Sequence, residues 1–177
     1  MKKLTTLLLG LCAAISTMSA QAQTSTDSDA KLYARPEVVI AFPGHFDTAV
    51  GGGLAVGYTV FKAQSVEAEA IAFSSKDGGY KVKFLPVLGS YVYSLKANPD
   101  LHVKFGASIG ATFEKADYYG YSHSTSAFTF GGRFGLSYGL AKNITLDLDA
   151  SLLHLEETSI TSAGKIVLTT AGVNFRF

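Results

Sequence analysis

From Pro36 to the C-terminus, apolar residues recur at every second position. A period of two sends successive side chains to opposite faces of an extended chain, whereas an amphipathic helix needs a period near 3.6. In one segment Leu101, Val103, Phe105, Ala107, Ile109, Ala111 and Phe113 alternate with His102, Lys104, Gly106, Ser108, Gly110, Thr112 and Glu114. In the next, Phe128, Phe130, Phe134, Leu136, Tyr138 and Leu140 alternate with Thr129, Gly131, Arg133, Gly135, Ser137 and Gly139. Such runs exceed the roughly five or six residues of a typical globular strand and suffice to cross a bilayer at a tilt.

The period predicts eight strands, at 36–43, 50–61, 65–74, 79–94, 100–114, 126–140, 143–155 and 163–177. In the seventh, Ile144, Leu146, Leu148, Ala150 and Leu152 oppose Thr145, Asp147, Asp149 and Ser151; in the second, Leu54, Val56, Tyr58 and Val60 oppose Gly53, Ala55, Gly57 and Thr59. The third sets Glu67 and Glu69 against Val66, Ala68 and Ala70, and the fourth sets Lys81 and Lys83 against Tyr80, Val82 and Phe84. Pro86 interrupts the fourth. Proline brings no amide hydrogen to the ladder, so a bulge or register change is expected there.

Connections after the second, fourth and sixth segments are short, at 62–64, 96–99 and 141–142. The others are mostly longer and more polar, the longest being 115–125, which holds Tyr118, Tyr119, Tyr121, His123 and several serines. An even strand count with alternating short and long connections describes an all-β, eight-stranded antiparallel up-and-down barrel with both chain ends on the side of the short turns.

Upstream, Met1-Lys2-Lys3 leads into an apolar run from Leu4 to Met18 and then Ala20-Gln21-Ala22, a small-x-small cleavage site. That is a cleavable secretory signal. The run is too short and too polar for a spanning helix, and no later stretch offers one. Cleavage after Ala22 leaves a polar lead-in at 23–35 and one barrel domain at 36–177. The single cysteine, Cys12, lies inside the signal, so the exported part has neither a disulfide nor a thiolate metal site. A lipidated cysteine would want a small residue before it, and Leu11 is bulky. With 47% apolar residues, 16% charged residues and a net charge of +1, the chain is too apolar for disorder and lacks the basic stretch that nucleic-acid binding needs.

Alternation alone does not say which face meets what. A soluble lipophile-binding barrel also alternates, with its apolar side inward. Here the other face is rich in Gly, Ala, Ser and Thr, sizes that fit inside a narrow barrel. Aromatics gather near strand ends: Phe42, Tyr80, Phe113 and Phe128 toward the long loops, and Phe61, Tyr91, Tyr93, Tyr138, Phe175 and Phe177 toward the short turns. Rings at two levels are the aromatic girdles of a membrane barrel. The expected location is therefore the bacterial outer membrane, with both termini in the periplasm and outer-membrane lipid and lipopolysaccharide as surroundings.

The last residues, Thr170-Ala-Gly172-Val-Asn-Phe175-Arg-Phe177, resemble the C-terminal assembly signal of bacterial outer-membrane barrels: a polar residue, a glycine two later, then aromatics at the antepenultimate and final positions. By that resemblance Thr170, Gly172, Phe175 and Phe177 would be read by the barrel assembly machinery. Phe105-Gly-Ala-Ser-Ile-Gly110, Gly131-Gly-Arg-Phe-Gly135 and Leu146-Asp-Leu also make the mature chain similar to the small OmpA/OmpX-like outer-membrane barrels. The resemblance implies the same eight-stranded, porin-like fold.

With Phe175 and Phe177 facing lipid, Asn174 and Arg176 point inward. The same rule turns Glu37, Glu67, Glu69, Glu114, Asp147 and Asp149 inward, together with the bases Lys81, Lys83, Lys104, Arg133 and Arg176. Acids and bases nearly balance. An unpaired buried charge costs roughly several kcal/mol, so a paired ionic network is expected before a charge-selective pore. Eight strands leave an interior that side chains just fill, which disfavours a wide channel and leaves a narrow or gated path as an alternative.

A Ser-His-acid site at the outer rim would make the barrel a lipid-modifying enzyme. The groups to test are His123 with Ser124 or Ser126, His154 with Glu156 and Glu157, and His45 with Asp47. None has fixed spacing on a rigid strand, and His123 falls in the predicted loop. No catalytic residue is therefore assigned. Four scattered histidines without cysteine give no metal-ligand spacing. Gly51-Gly52-Gly53 leads into a strand, not a helix, so it is no phosphate loop, and no cofactor is expected. Tyr118, Tyr119 and Tyr121 with His123 form a candidate surface-contact patch, since Tyr favours interfaces. The expected function is non-enzymatic: envelope integrity, or surface contact through the external loops.

Overall fold

A sheet that is apolar on one face and small or polar on the other can protect its edges by curling until they meet. The computed structural model describes residues 32–44, 46–61, 63–77, 80–118, 121–158 and 164–177, and it shows that closure. Strands β1 (Leu32–Pro43), β2 (Ala49–Phe61), β3 (Gln64–Asp77), β4 (Tyr80–Lys96), β5 (Leu101–Tyr118), β6 (Tyr121–Ala141), β7 (Ile144–Leu155) and β8 (Gly164–Arg176) pair antiparallel in chain order. The last closes on the first. Phe177 donates its amide hydrogen to the Leu32 carbonyl at 2.9 Å, so the two ends of the described chain lie together. We call that rim the terminal end, and the opposite rim the distal end.

Four boundaries or registers differ from the sequence expectation. The first strand begins at Leu32, four residues before Pro36, which brings Tyr33 and Arg35 into the barrel wall. The expected 115–125 loop is largely strand: β5 and β6 stay in register up to Tyr118 opposite Tyr121. The β3–β4 hairpin is likewise prolonged, so strict alternation of loop length gives way to long hairpins at the distal end. At Pro86 the register does not shift. β4 stays in phase with β5 from Lys81 to Lys96; the missing amide of Pro86 shows only as an interruption of the β3 ladder, between the pairs Ala70–Val87 and Phe73–Phe84, with the register unchanged across it. The shifts occur instead near Thr59–Phe61 and Gly139–Ala141, both at the terminal end.

The outer face carries the apolar residues of all eight strands, among them Val38, Leu54, Ile109, Phe134, Leu148 and Leu152. The inner face changes character along the axis. Toward the distal end it is an apolar core of Val39, Ile71, Phe73, Val82, Phe84, Leu153 and Leu168, with Phe73 stacked on Phe84 at 5.0 Å and Phe46 set edge-on against Phe84. Toward the terminal end it is charged. The expected signal peptide and cleavage site, positions 23–31, His45 and Tyr119 lie outside the described residues, as do the side chains of Tyr80, Tyr118 and Tyr121.

Candidate functional site

The charged half of the lumen is built from inward positions of several strands. Arg35 sits at its centre. Its Nε lies 3.1 Å from Glu37 Oε2, its NH2 3.3 Å from Glu67 Oε2 and 3.6 Å from Glu69 Oε1, and its NH1 3.3 Å from both Asp147 Oδ2 and Asp149 Oδ2. One guanidinium thus gathers carboxylates from β1, β3 and β7. Its five donors in a planar fork suit that task in a way a lysine would not.

Two further cations complete the cluster. Arg133 on β6 pairs with Glu67 and, through NH2, with Glu69 Oε1 at 3.0 Å. Lys104 on β5 places Nζ 2.9 Å from Asp147 Oδ2 and 3.0 Å from Asp149 Oδ1. Tyr33 donates its hydroxyl hydrogen to Glu67 at 2.6 Å, and Thr145 donates to Asp147 at 3.1 Å. The side chains of Arg35, Glu37, Glu67, Glu69, Arg133, Asp147 and Asp149 are all buried. Five carboxylates face three bases, and apart from Arg35–Glu37, within β1, the ion pairs join strands that are not sheet neighbours.

Glycines make the room. Gly57 stands opposite Tyr33 and Gly53 opposite Glu37. Gly172 faces Glu37 from the other side. A methyl group at Gly57 would enter the Tyr33 ring, one at Gly135 would enter the Asp149 carboxylate, and one at Gly172 would come within 2.8 Å of Arg35 Cγ. The inward glycines thus answer to the long charged side chains lying over them.

Of the inward charges expected from sequence, Glu37, Glu67, Glu69, Lys104, Arg133, Asp147 and Asp149 come together in this cluster. Glu114 is buried and inward but higher up, where Thr158 donates to it at 2.9 Å. Arg176 is exposed at the terminal rim, beside a cavity of about 80 Å³ that His102 also lines. Lys81 and Lys83 are corrections: both are exposed on the outer face, and Val82 and Phe84 take the inward places. The unshifted register at Pro86 is the reason, since the phase of Tyr91 and Tyr93 carries straight up the strand. Arg35 escapes the sequence reading because it falls in the expected lead-in. Counting back by two from Glu37 finds it.

Thr170 and Gly172 face inward, while Phe175 and Phe177 are exposed on the outside. His123 occupies an inward register opposite Ala116, and the outward register belongs to Ser124 and Ser126. The two-residue period therefore separates that histidine from both serines. His154 lies on the outer face against the Phe130 ring at 5.1 Å. Among the described residues, no three His, Asp or Glu side chains converge as metal ligands.

Hydroxyl pairs, Ser90 with Ser108 and Thr112 with Thr129, each 2.8 Å apart, are also buried on the inner face. The terminal-end cavity stops at Glu67, Lys104 and Asp147. Charged side chains thus occupy the terminal half of the inner face, and aromatic and aliphatic side chains the distal half.

The profile of a family described as the outer membrane protein beta-barrel domain matches residues 10–177. Among solved structures, Neisserial surface protein A superposes with a TM-score of 0.74 at 15% identity, covering 82% of this chain and 97% of its own. A major outer membrane protein of Thermus thermophilus gives 0.62 at 14% identity, covering 84% and 100%. Ail, the attachment invasion locus protein of Yersinia pestis, gives 0.56 at 15% identity, covering 86% and 100%. At these identities the likeness is one of fold. No curated protein matches the sequence.

Proposed function

Because the chain belongs to the outer membrane protein β-barrel domain family, we propose that it is a non-enzymatic integral protein of the bacterial outer membrane whose filled barrel supports envelope integrity or surface contact. The observation that supports this reading is the succession of the Arg35 ion pairs and the Phe73–Phe84 stack on the inner face. A conducting pore needs a continuous wet path, and here a solute entering at the terminal end meets the Arg35 cluster and then the Phe73–Phe84 stack.

In this reading the distal end, with its prolonged β5–β6 hairpin, faces outward, and the termini lie in the periplasm, in keeping with the longer external connections of such barrels. Surface contact falls to that hairpin, which holds Tyr118, Tyr119, Tyr121 and His123. Phe175 and Phe177 stay available on the outer face, as an assembly signal read by the barrel assembly machinery requires. Lipid and lipopolysaccharide surround the wall, and no cofactor is called for.

The test is a deletion strain complemented with either the native gene or a His123→Ala/His154→Ala variant. Loss of the native protein should raise uptake of large hydrophobic solutes or lower surface adhesion, and the variant should restore both. Failure of the variant, together with altered lipid A or phospholipid composition, would replace this reading with the enzymatic one.

A further inference from the structure

On the outer wall, the charged side chains described at strand positions are Lys76, Lys81, Lys83, Lys115 and Lys165, every one a cation and every one near the distal end. Four of the five sit together on β3, β4 and β5. The register sets Lys83 directly opposite Lys115 and Lys76 directly opposite Lys81. A multiply charged anion laid over this cluster meets several cations in opposed register positions at once. Asp117 holds the register position opposite Lys81, while the Lys83–Lys115 pair is flanked by Ser74 and Ser124, which can donate hydrogen bonds.

Immediately toward the membrane from this pair, Leu85 stands opposite Phe113 on the same face. Those residues, with Val50 and Ala72, line a groove of about 660 Å³ that reaches up to Lys83 and Lys115. The acid along it, Glu114, is buried and turned into the lumen. A cationic rim above an apolar slot, on a lipid-facing wall, matches a molecule with a multiply charged anionic head and long hydrocarbon chains.

We infer that the outer wall of β3–β5 is a binding site for a membrane lipid with a phosphorylated headgroup, its phosphates on Lys81, Lys83 and Lys115 and an acyl chain along Leu85 and Phe113. This rests on the orientation proposed above, which sets these lysines at the headgroup level of the outer leaflet. A lysine near an anionic membrane surface contributes on the order of fivefold in binding. The site would hold a specific lipid against the barrel and brace the prolonged hairpins that rise above it.

The experiment is native mass spectrometry of the purified, detergent-extracted protein with three probes: diphosphoryl lipid A, the same lipid without phosphates, and inorganic pyrophosphate. One diphosphoryl lipid should be retained. Lys83→Gln/Lys115→Gln should lower retention by about twenty-five-fold, two such factors combined, while Lys83→Arg/Lys115→Arg and Lys165→Gln, on the far wall, should keep it. Equal retention of the phosphate-free lipid, equal binding of pyrophosphate alone, or full retention by the Gln variant would overturn the inference. Heat-modifiable gel migration of the same samples reports that each barrel is intact. A native protein released from membranes by carbonate would instead contradict the membrane reading itself.

Discussion

Arg35 on β1 and Asp147 on β7 meet at 3.3 Å although β8 lies between their strands and 112 positions separate them in the chain. Contacts of this kind tie strands that are not sheet neighbours to one another, beyond what the ladder bonds between neighbours supply.

Removing the central cation strands several buried carboxylates at once. Arg35→Met should therefore lower unfolding stability by about 3–5 kcal/mol, the cost of breaking a buried ion pair by deleting one partner. Arg176→Met, at the exposed rim, should change it by less than about 0.5 kcal/mol. Denaturant titration of the folded protein in lipid vesicles, followed by gel migration, measures both.

Gly57 and Tyr33 form a steric couple, since an added methyl group would occupy the ring's place. Gly57→Ala should cost about 1–3 kcal/mol through overpacking. Tyr33→Ala should cost stability as well, yet the double variant should be more stable than the two losses added together. A double-mutant cycle reads the coupling; strict additivity would mean that the ring does not need the glycine.

Leu152 and Leu153 are chain neighbours on opposite faces: Leu153 is fully buried in the distal core and Leu152 is exposed outside. Leu153→Ala should cost about 2–5 kcal/mol because it leaves a cavity. Leu152→Ala should cost much less, since lipid can fill the space, whereas Leu148→Arg, nearer the middle of the outer row of β7, should cost about 2–4 kcal/mol. Equal effects of the two alanine variants would contradict the assignment of faces.

Which of these features the sequence disclosed follows from what the bilayer demands. Along the membrane-facing stretch the outward residues are apolar with few exceptions such as Thr169, so the alternation of Leu101–Phe113 and Phe128–Leu140 reads directly as strand and as phase. The same holds for Glu67, Glu69, Lys104, Arg133, Asp147 and Asp149, charges framed by apolar neighbours. Legibility fails where that demand stops. Beyond the hydrocarbon layer an outward charge is solvated, so a charge no longer marks the inner face, and the rule that turns Lys81 and Lys83 inward does not apply at their height.

The distal core is hidden for a related reason. Where inside and outside are both apolar, as at Val38 with Val39 or Leu152 with Leu153, hydrophobicity has no contrast to alternate. Arg35 escapes because a polar lead-in and a strand bearing Tyr33, Arg35 and Glu37 look alike at the edge of a pattern. The prolonged β5–β6 hairpin, rich in Ser and Tyr, carries the composition of a loop while its backbone stays paired.

If the distal end faces outward, the hairpin should be reachable from outside the cell. Ser122→Cys and Ser124→Cys, exposed near its tip, should react with a membrane-impermeant maleimide on intact cells. A cysteine replacing Asn143, at the opposite rim, should react only after the outer membrane is permeabilised. The reverse pattern would invert the topology.

The closed lumen is tested most directly by single-channel recording of the purified protein in planar bilayers. The native barrel should insert without sustained conductance steps, because the Arg35 cluster and the Phe73–Phe84 core block the axis in series. Stable, reproducible open levels from correctly folded native protein would contradict a filled barrel.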